Sequence, residues 1–270
     1  MKITNKNYYG PKANQAYFSV SQFKDFLKCP AMAMAKLSGE YTPERGRALV
    51  LGSLVDEMLT GTKKSQEKFI EENRAELFKK NGEPYADVEQ ALETVERVRK
   101  QPLMMHYLSG KHQTIMTGEI EGVPFKIKMD SYNPEEYIND LKYMASLRSP
   151  NLFTPMVEYW GYDLQAACYQ EIVRQNIGKQ LPFFFTVATK EKPAHLAVGQ
   201  ISQWNIDKAM ETVRANIVRF QKIKAGEIEA DRCEDYGCEW CTTTKIITEP
   251  IDTDLFGMST AQIRGMRGEI

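Results

Sequence analysis

Three groups of residues in this sequence have the types and spacing that chemistry needs. The first lies in the run KMDSYNPEEYINDLKYM, where Asp130 is followed by Asp140 and Lys142. Asp140 and Lys142 stand two apart, so on a β-strand both point to one face. With Asp130 ending the preceding strand, a short turn would bring its carboxylate beside them. Carboxylate oxygens hold one or two divalent cations such as Mg²⁺ or Mn²⁺, which generate hydroxide and stabilise a leaving oxygen. A lysine among them orients the attacking water or neutralises charge developing on a phosphate. That chemistry is phosphodiester hydrolysis. A bare DxK pattern, however, is more often a pair of surface residues on an exposed strand, so its neighbours in sequence decide its weight.

The second group supplies those neighbours. In GYDLQAACYQEIV, Gln165 and Tyr169 stand four apart on one face of a predicted helix. By themselves they read as a solvated polar face. Asp56, in GSLVDEMLTG, adds a carboxylate to an early helix beside an apolar stripe, and by itself it is an ordinary exposed acid.

The third group is the cysteines. Cys233, Cys238 and Cys241 form C-x4-C-x2-C within RCEDYGCEWC, and Cys29 lies far upstream in FLKCP. Three thiols so close together in a Gly-containing loop are poorly explained as core residues. Four thiolates suit a tetrahedral Zn²⁺ or an iron–sulfur cluster, and the spacing does not choose between them. Cys168, inside the Gln165–Tyr169 helix, reads as a buried thiol. The three histidines, His106, His112 and His195, have no partner at ligand spacing and read as structural or exposed.

Elements that would position these groups follow from periodicity. Phe23, Phe26, Leu27 and Met34 recur at helical spacing after a capping Ser19 or Ser21, with a kink or a fresh start at Pro30. A helix is predicted from Glu44 to Leu59, ended by Gly61. Residues 63–102 read as a charged helical insert broken at NGEP. HQTIMTGEIEG, VPFKIKMDSY and EYINDLKYM alternate apolar and polar residues and read as a three-stranded meander. A helix from Tyr162 to Gln175 follows, then strands in LPFFFTVATK and HLAVGQIS. The last strong helix spans Asp207 to Lys224, with Met210, Val213, Ile217, Val218 and Phe220 on its apolar stripe. This order predicts an α/β fold, a small central mixed sheet flanked by helices, over one domain of residues 1–270.

The order of these pieces resembles the RecB-like PD-(D/E)xK nuclease superfamily, nearest the phage RecE-type and YqaJ-type exonucleases. The likeness runs from Ser19 to Cys241 through SVSQFKDFLKCP, GSLVDEML, KMD…NDLK, QAACY and the Cys cluster. It implies a restriction-endonuclease-like core in which Asp130 and Asp140 are metal ligands and Lys142 is the catalytic lysine. Gln165 and Tyr169 match the QxxxY motif near the DNA and the active site, and Glu119 on the preceding strand is a further carboxylate for that site. Asp56 stands where many relatives carry a metal-binding His; as a hard oxygen ligand it suits Mg²⁺ or Mn²⁺. Met129 replaces the usual Pro before the first Asp. Several relatives hold a four-iron, four-sulfur (4Fe–4S) cluster with one early and three late cysteines. By that likeness Cys29, Cys233, Cys238 and Cys241 would carry one here, with Zn²⁺ as the alternative, and residues 227–245 would close onto the N-terminal helix. The usual late spacing is C-x2-C-x2-C, two residues shorter than in this chain.

The resemblance thus implies a Mg²⁺- or Mn²⁺-dependent DNA exonuclease of phage or prophage recombination. Its partners would be linear duplex ends, a single-strand annealing protein and copies of itself in a ring. A non-catalytic DNA-binding or structural module on the same scaffold is the alternative, kept alive by Asp56. Composition agrees with either. The 270 residues are 42% hydrophobic and 26% charged, the balance of a globular protein rather than a disordered tail or rod. Thirty-five basic and 36 acidic residues give a net charge of −1, which excludes coating nucleic acid by bulk charge but not a local basic groove. No apolar run reaches membrane-spanning length, and MKITNKNYYGPKANQ lacks a signal-peptide core, so the expected location is the cytoplasm. No Walker loop or GxGxxG is present, so ATP-driven unwinding would have to come from another protein.

Overall fold

The computed structural model describes residues 1–44, 46–233 and 237–248, with 250, 253–255, 258, 262, 265 and 266 beyond them. A helical N-terminal half comprises α1 (Pro11–Ala16), α2 (Val20–Lys28), α3 (Pro30–Ser38), α4 (Arg47–Thr60), α5 (Lys63–Glu72), α6 (Arg74–Leu77), α7 (Ala86–Arg99) and α8 (Pro102–Leu108). Then come β1 (Lys111–Ile120), β2 (Val123–Asn133), β3 (Tyr137–Met144), α9 (Met156–Tyr159), α10 (Tyr162–Ile177), β4 (Phe183–Thr189), β5 (Leu196–Gln200), α11 (Gln203–Lys224) and α12 (Glu239–Thr243). Ser19 caps α2 by accepting from Gln22 N at 3.3 Å. Pro30 opens α3 at a position where its missing N–H costs nothing.

The strands form one mixed sheet in the order β1-β2-β3-β4-β5. All neighbours are antiparallel except β3 and β4, which run parallel, so the chain must cross between them through α9 and α10. One face of the sheet packs on α2, α10 and α11 through Phe23, Phe26, Ile127, Met129, Phe183, Phe185 and Val213. The other packs on α4, α7 and α8 through Leu54, Val55, Val95, Leu108 and Leu141. Along β3 the alternation is visible: Ile138 joins the first core and Leu141 the second. At Gly118 a Cβ would crowd the ends of the Ile172 and Gln175 side chains of α10.

The central strands part company. β2 pairs with β1 from Val123 to Tyr132, but with β3 only at Ser131–Asn139, Tyr132–Ile138 and Asn133–Tyr137. β3 then continues beside β4 as far as Met144. At the far end of β2, Phe18 occupies the edge that β3 has left: its N–H donates to Pro124 O and its carbonyl accepts from Lys126 N, both at 2.8 Å. Between these two pairings β2 and β3 form an open fork. Asp130 therefore does not end β2, which runs on to Asn133 to make the short pairing that closes the fork.

Several other elements depart from periodicity. α1 and α8 were not foreseen, being short and each started by a proline. α11 begins at Gln203 because Ser202 caps it, accepting from Asn205 N at 3.2 Å. Val218 is 43% exposed rather than on the buried stripe. Lys126 and Lys224 are buried and form no ion pair among the described residues. Lys126 donates to Tyr8 O and, at 2.7 Å, to Asn14 Oδ1. Lys224 donates to Tyr17 O at 3.1 Å and Gln22 Oε1 at 3.2 Å, with its ammonium 4.2 Å from the Phe18 ring centre.

Burial pushes both ammonium groups down to about 8, against about 10.4 for an unfolded lysine. Between those values the unfolded chain binds more protons, so folding stability rises with pH above about 8. The buried Cys168 thiol and Tyr8 phenol, both held above their ordinary ranges, oppose the rise above about 8.5 and about 10 respectively, and the two lysines together outweigh the single thiol below about pH 10. The thermal midpoint is expected to climb from pH 8 to 10, and the climb to shrink in a Lys126→Met/Lys224→Met variant. A flat wild-type profile, or an undiminished climb in the double variant, would contradict this assignment.

Candidate active site

A cleft of about 540 Å³ opens at the fork, lined by Asp56 from α4, Gln113 from β1, Lys128 and Asp130 from β2, Asp140 and Lys142 from β3, and Tyr169 from α10. Side chains there complete the hydrogen bonding that a full β2–β3 ladder would have supplied. Asp130 Oδ2 accepts from Leu141 N at 3.0 Å. The Tyr169 hydroxyl donates to Lys128 O at 2.9 Å. Buried backbone groups need partners, and here two cleft residues supply them.

Asp140 is the most enclosed acid of the group, at 4% exposure. Its Oδ2 lies 2.5 Å from Lys142 Nζ, and its Oδ1 accepts from Gln165 Nε2 at 2.5 Å. The same Gln165 accepts from Lys142 Nζ through Oε1 at 3.2 Å. One amide thus holds both members of the pair, and its orientation is fixed because each end has a defined partner. The Tyr162 ring lies 4.8 Å from the Lys142 ammonium. Burial works against charge on Lys142, but Asp140 and Asp130 outweigh it and hold the ammonium above its ordinary range.

Asp56 and Asp130 are pushed the other way. Burial raises Asp56 to about 6, and the nearby Asp140 and Glu57 add to the rise. Thr60 Oγ1 at 3.1 Å and Gln113 Nε2 at 3.1 Å donate to its two oxygens. Burial, then Asp140 and Asp56, raise Asp130 well above the carboxylate range. Asp56 and Asp130 are thus disfavoured from ionising by burial and by their acidic neighbours, and a divalent cation would relieve that repulsion. Asp140 Oδ2 is buried and has the Lys142 ammonium at 2.5 Å and no further hydrogen-bond partner. An all-oxygen donor set with such an atom fits Mg²⁺ or Mn²⁺.

Of the residues expected at this site, Asp56, Asp130, Asp140, Lys142 and Tyr169 line the cleft, and Gln165 bonds to two of them. Gln165 and Tyr169 are each 8% exposed, so they are not a solvated face. Glu119 does not belong with them. It is exposed, pairs with Pro124, and bonds through its backbone to Gln175. Antiparallel register explains this, because the far end of β1 lies opposite the start of β2. The β1 residue across from Asp130 is Gln113, which falls between the pairs His112–Ser131 and Thr114–Met129. Its φ of 50° is rare for a residue with a side chain, and its amide reaches Asp56. The sequence signal that finds it is register: counting back along the hairpin from Gly122 leads to it. Lys24, Lys128 and Tyr162 were likewise not singled out.

The second convergence is of thiols. Cys29 caps α3, Cys238 caps α12, Cys241 sits within α12, and Cys233 follows α11. Their four sulfurs lie within 4.8 Å of one another, the tightest such grouping of metal-ligating side chains among the described residues. Cys29 and Cys241 are 3.5 Å apart, and Cys233 and Cys241 3.7 Å. Met32, Tyr41 and Trp240 pack around them. Burial works against the Cys29 thiolate, yet the Met32 N–H and the neighbouring cysteines outweigh it and lower the group below its ordinary range. Residues 234–236, between Cys233 and Cys238, lie outside the described residues. Cys168 is fully buried and apart from the cluster, and burial pushes its thiol up.

A family model described as a PDDEXK-like domain of unknown function (DUF3799) matches residues 19–244. Among solved structures, the chain is similar to a crystal structure from Eubacterium rectale named "Putative exonuclease". The two are 39% identical, with a TM-score of 0.87, over 96% of this chain and 99% of that one. No curated protein matches significantly. No helix among the described residues is long and apolar enough to cross a membrane.

A metal held by the four thiols would tie α3 to α12, and its loss would resemble loss of a covalent staple. Cys238→Ser is expected to abolish metal binding at the thiols and to lower the thermal midpoint by roughly 4–20 °C. That range takes about 2–5 kcal/mol for the staple and about 2–4 °C per kcal/mol at this size. A strong chelator should do the same to the wild type. Metal analysis and a melting curve on both proteins check it, and an unchanged midpoint would mean the thiols hold nothing structural.

Proposed function

The chain belongs to the PDDEXK-like family, and on that premise we propose that it is a divalent-cation-dependent deoxyribonuclease that degrades DNA from its ends. The observation that carries this reading is the Asp140–Lys142–Gln165 lock beside Asp130 and Asp56. Asp130, Asp140 and Asp56 would hold the cation, which when bound supplies Lewis acidity and a nucleophile near neutral pH. Lys142 keeps its proton and offers a fixed positive charge to the phosphate oxygens. Gln165 orients Asp140 and Lys142 together, so neither side chain has to reorganise when substrate arrives. Tyr169 acts on the backbone, holding Lys128 and hence the β2 edge that carries Asp130. Gln113 and Thr60 aim the two oxygens of Asp56.

Action at ends, rather than within the chain, is supported by the name given to the Eubacterium rectale relative. Likeness to RecE-type and YqaJ-type enzymes supports a role in recombination of phage or prophage DNA. For the thiols, the family likeness favours a 4Fe–4S cluster, while the sulfur separations favour one zinc ion. A tetrahedral ion with bonds of about 2.3 Å spaces its sulfurs about 3.8 Å apart, whereas a cubane holds its thiolates wider. Colour decides between them: a brown protein absorbing near about 400 nm carries the cluster, and a colourless one with stoichiometric zinc carries the ion.

Digestion of end-labelled linear duplex DNA with Mg²⁺ or Mn²⁺ tests the main reading. Wild type should release nucleotides from linear DNA and leave closed circles intact. Asp140→Asn should reduce the rate by about 10³-fold or more, the scale of losing a central electrostatic group, with its fold and thiol-bound metal retained. If wild type cuts neither duplex nor single strands under either ion, the scaffold serves binding and not hydrolysis.

A further inference from the structure

Large apolar side chains are left in water along the segment between β3 and α10 and at the start of α11. Leu152 is 95% exposed, Phe153 96%, Trp204 66%, and Tyr159 and Trp160 44% each. Trp160 and Trp204 are two of the three tryptophans in the chain. The exposure of Leu152 and Phe153 is built in: Phe153 N donates to Asn151 Oδ1 at 2.9 Å and Thr154 N to Asn151 O at 3.4 Å. That tight turn holds both side chains at its tip. Tyr159 and Trp160 meet edge to face, centroids 5.0 Å apart. Lys208 joins α9 to α11, pairing with Glu158 at 3.9 Å while its ammonium lies 5.3 Å from the Trp204 ring centre.

This segment connects to the cleft through one lysine. Lys24 Nζ donates to Trp160 O at 3.0 Å. The Lys24 and Lys142 ammonium groups both lie against the Tyr162 ring, at 5.8 and 4.8 Å from its centre. Gly161 permits the approach: its φ is 61°, and a Cβ there would meet Lys24 Cδ at 2.8 Å. From Lys142 outward, the Tyr162 ring stands between the Lys142 and Lys24 ammonium groups, Lys24 reaches the Trp160 backbone, and Lys208 lies beside the Trp204 ring.

Rings interleaved with ammonium groups match the chemistry of a single nucleic-acid strand, whose phosphates pair with the cations and whose bases stack on the rings. Bases in an intact duplex already stack on one another and have no free faces. We propose that Trp160 and Trp204, joined through Glu158 and Lys208, form a stacking platform for unpaired DNA bases next to the cleft. The proposal rests on the nuclease reading of that cleft, and it adds that the strand is engaged with its bases unpaired.

The test compares binding of a fluorescein-labelled short thymidine oligonucleotide with an abasic strand of equal length and charge. All proteins carry Asp140→Asn, so that nothing is cut. The thymidine strand should bind about tenfold or more tightly than the abasic one, the scale of at least one stacked base, and should quench tryptophan fluorescence. Trp160→Ala/Trp204→Ala should erase that preference while leaving affinity for the abasic strand as it was. Equal binding of the two strands, or a double variant that keeps the preference, overturns the platform. If the double variant does not fold, absence of quenching by the thymidine strand overturns it instead. Cleavage without a base preference would sink the platform alone, and a base preference without cleavage under any cation would sink the nuclease reading alone.

Discussion

β2 cannot stay beside β3. It is paired with β1 along nearly its whole length and with β3 over three residues, and Phe18 takes the edge that remains. A sheet that splits in this way leaves backbone N–H and C=O groups facing a gap, and such groups must be satisfied or solvated. The protein satisfies them with side chains: the Asp130 carboxylate on Leu141 N, the Tyr169 hydroxyl on Lys128 O. The fork therefore selects polar residues at its mouth. Because side chains alternate along each strand, it also places Asp130 and the Asp140–Lys142 pair within reach of one another although they lie on different strands.

Electrostatics then make the gathered groups interdependent. Asp140 and Lys142 stabilise each other and share Gln165, whereas Asp56 and Asp130 are held partly against ionisation by burial and by Asp140. An isolated buried acid would simply take up a proton. Here a nearby lysine on each flank, Lys142 and Lys128, tempers that tendency. The cluster is a place where positive charge is wanted and two ammonium groups do not suffice. Such an arrangement, and not any one residue, is what would attract a cation.

Much of this was legible in the residues. Alternation marks the first three strands, and the apolar run of Phe183, Phe184 and Phe185 marks β4, which is buried because helices cover both faces of the sheet, while the Gln165–Tyr169 spacing located one helix face. What that spacing could not reveal was burial: polar pairs on helices usually face solvent, and only the fork gives these two something to bind. Glu119 was misplaced because a strand's composition does not state its register, and register put Gln113 opposite Asp130 instead. Gln113 itself sits at a left-handed φ, a conformation no propensity would assign to glutamine. The short α1 and α8 escaped notice because each is too brief to show a period.

The two convergent sites are not independent of each other mechanically. Cys29 ends α2 and caps α3, and Ala31 N donates to Asp231 O at 3.0 Å, so the thiol cluster pins the junction of these helices to the chain after α11. Lys24 lies on α2 little more than one turn before Cys29 and contacts both the Tyr162 ring and the Trp160 carbonyl. Phe23 and Phe26, on either side of it, pack on Phe220 of α11, with centroids 5.5 and 5.4 Å apart. A shift of α2 would therefore move Lys24 relative to Lys142. The cysteines contribute no group to the cleft, but they meet at the end of the helix that carries its outer lysine, so a metal held there would bear on Lys24 through α2.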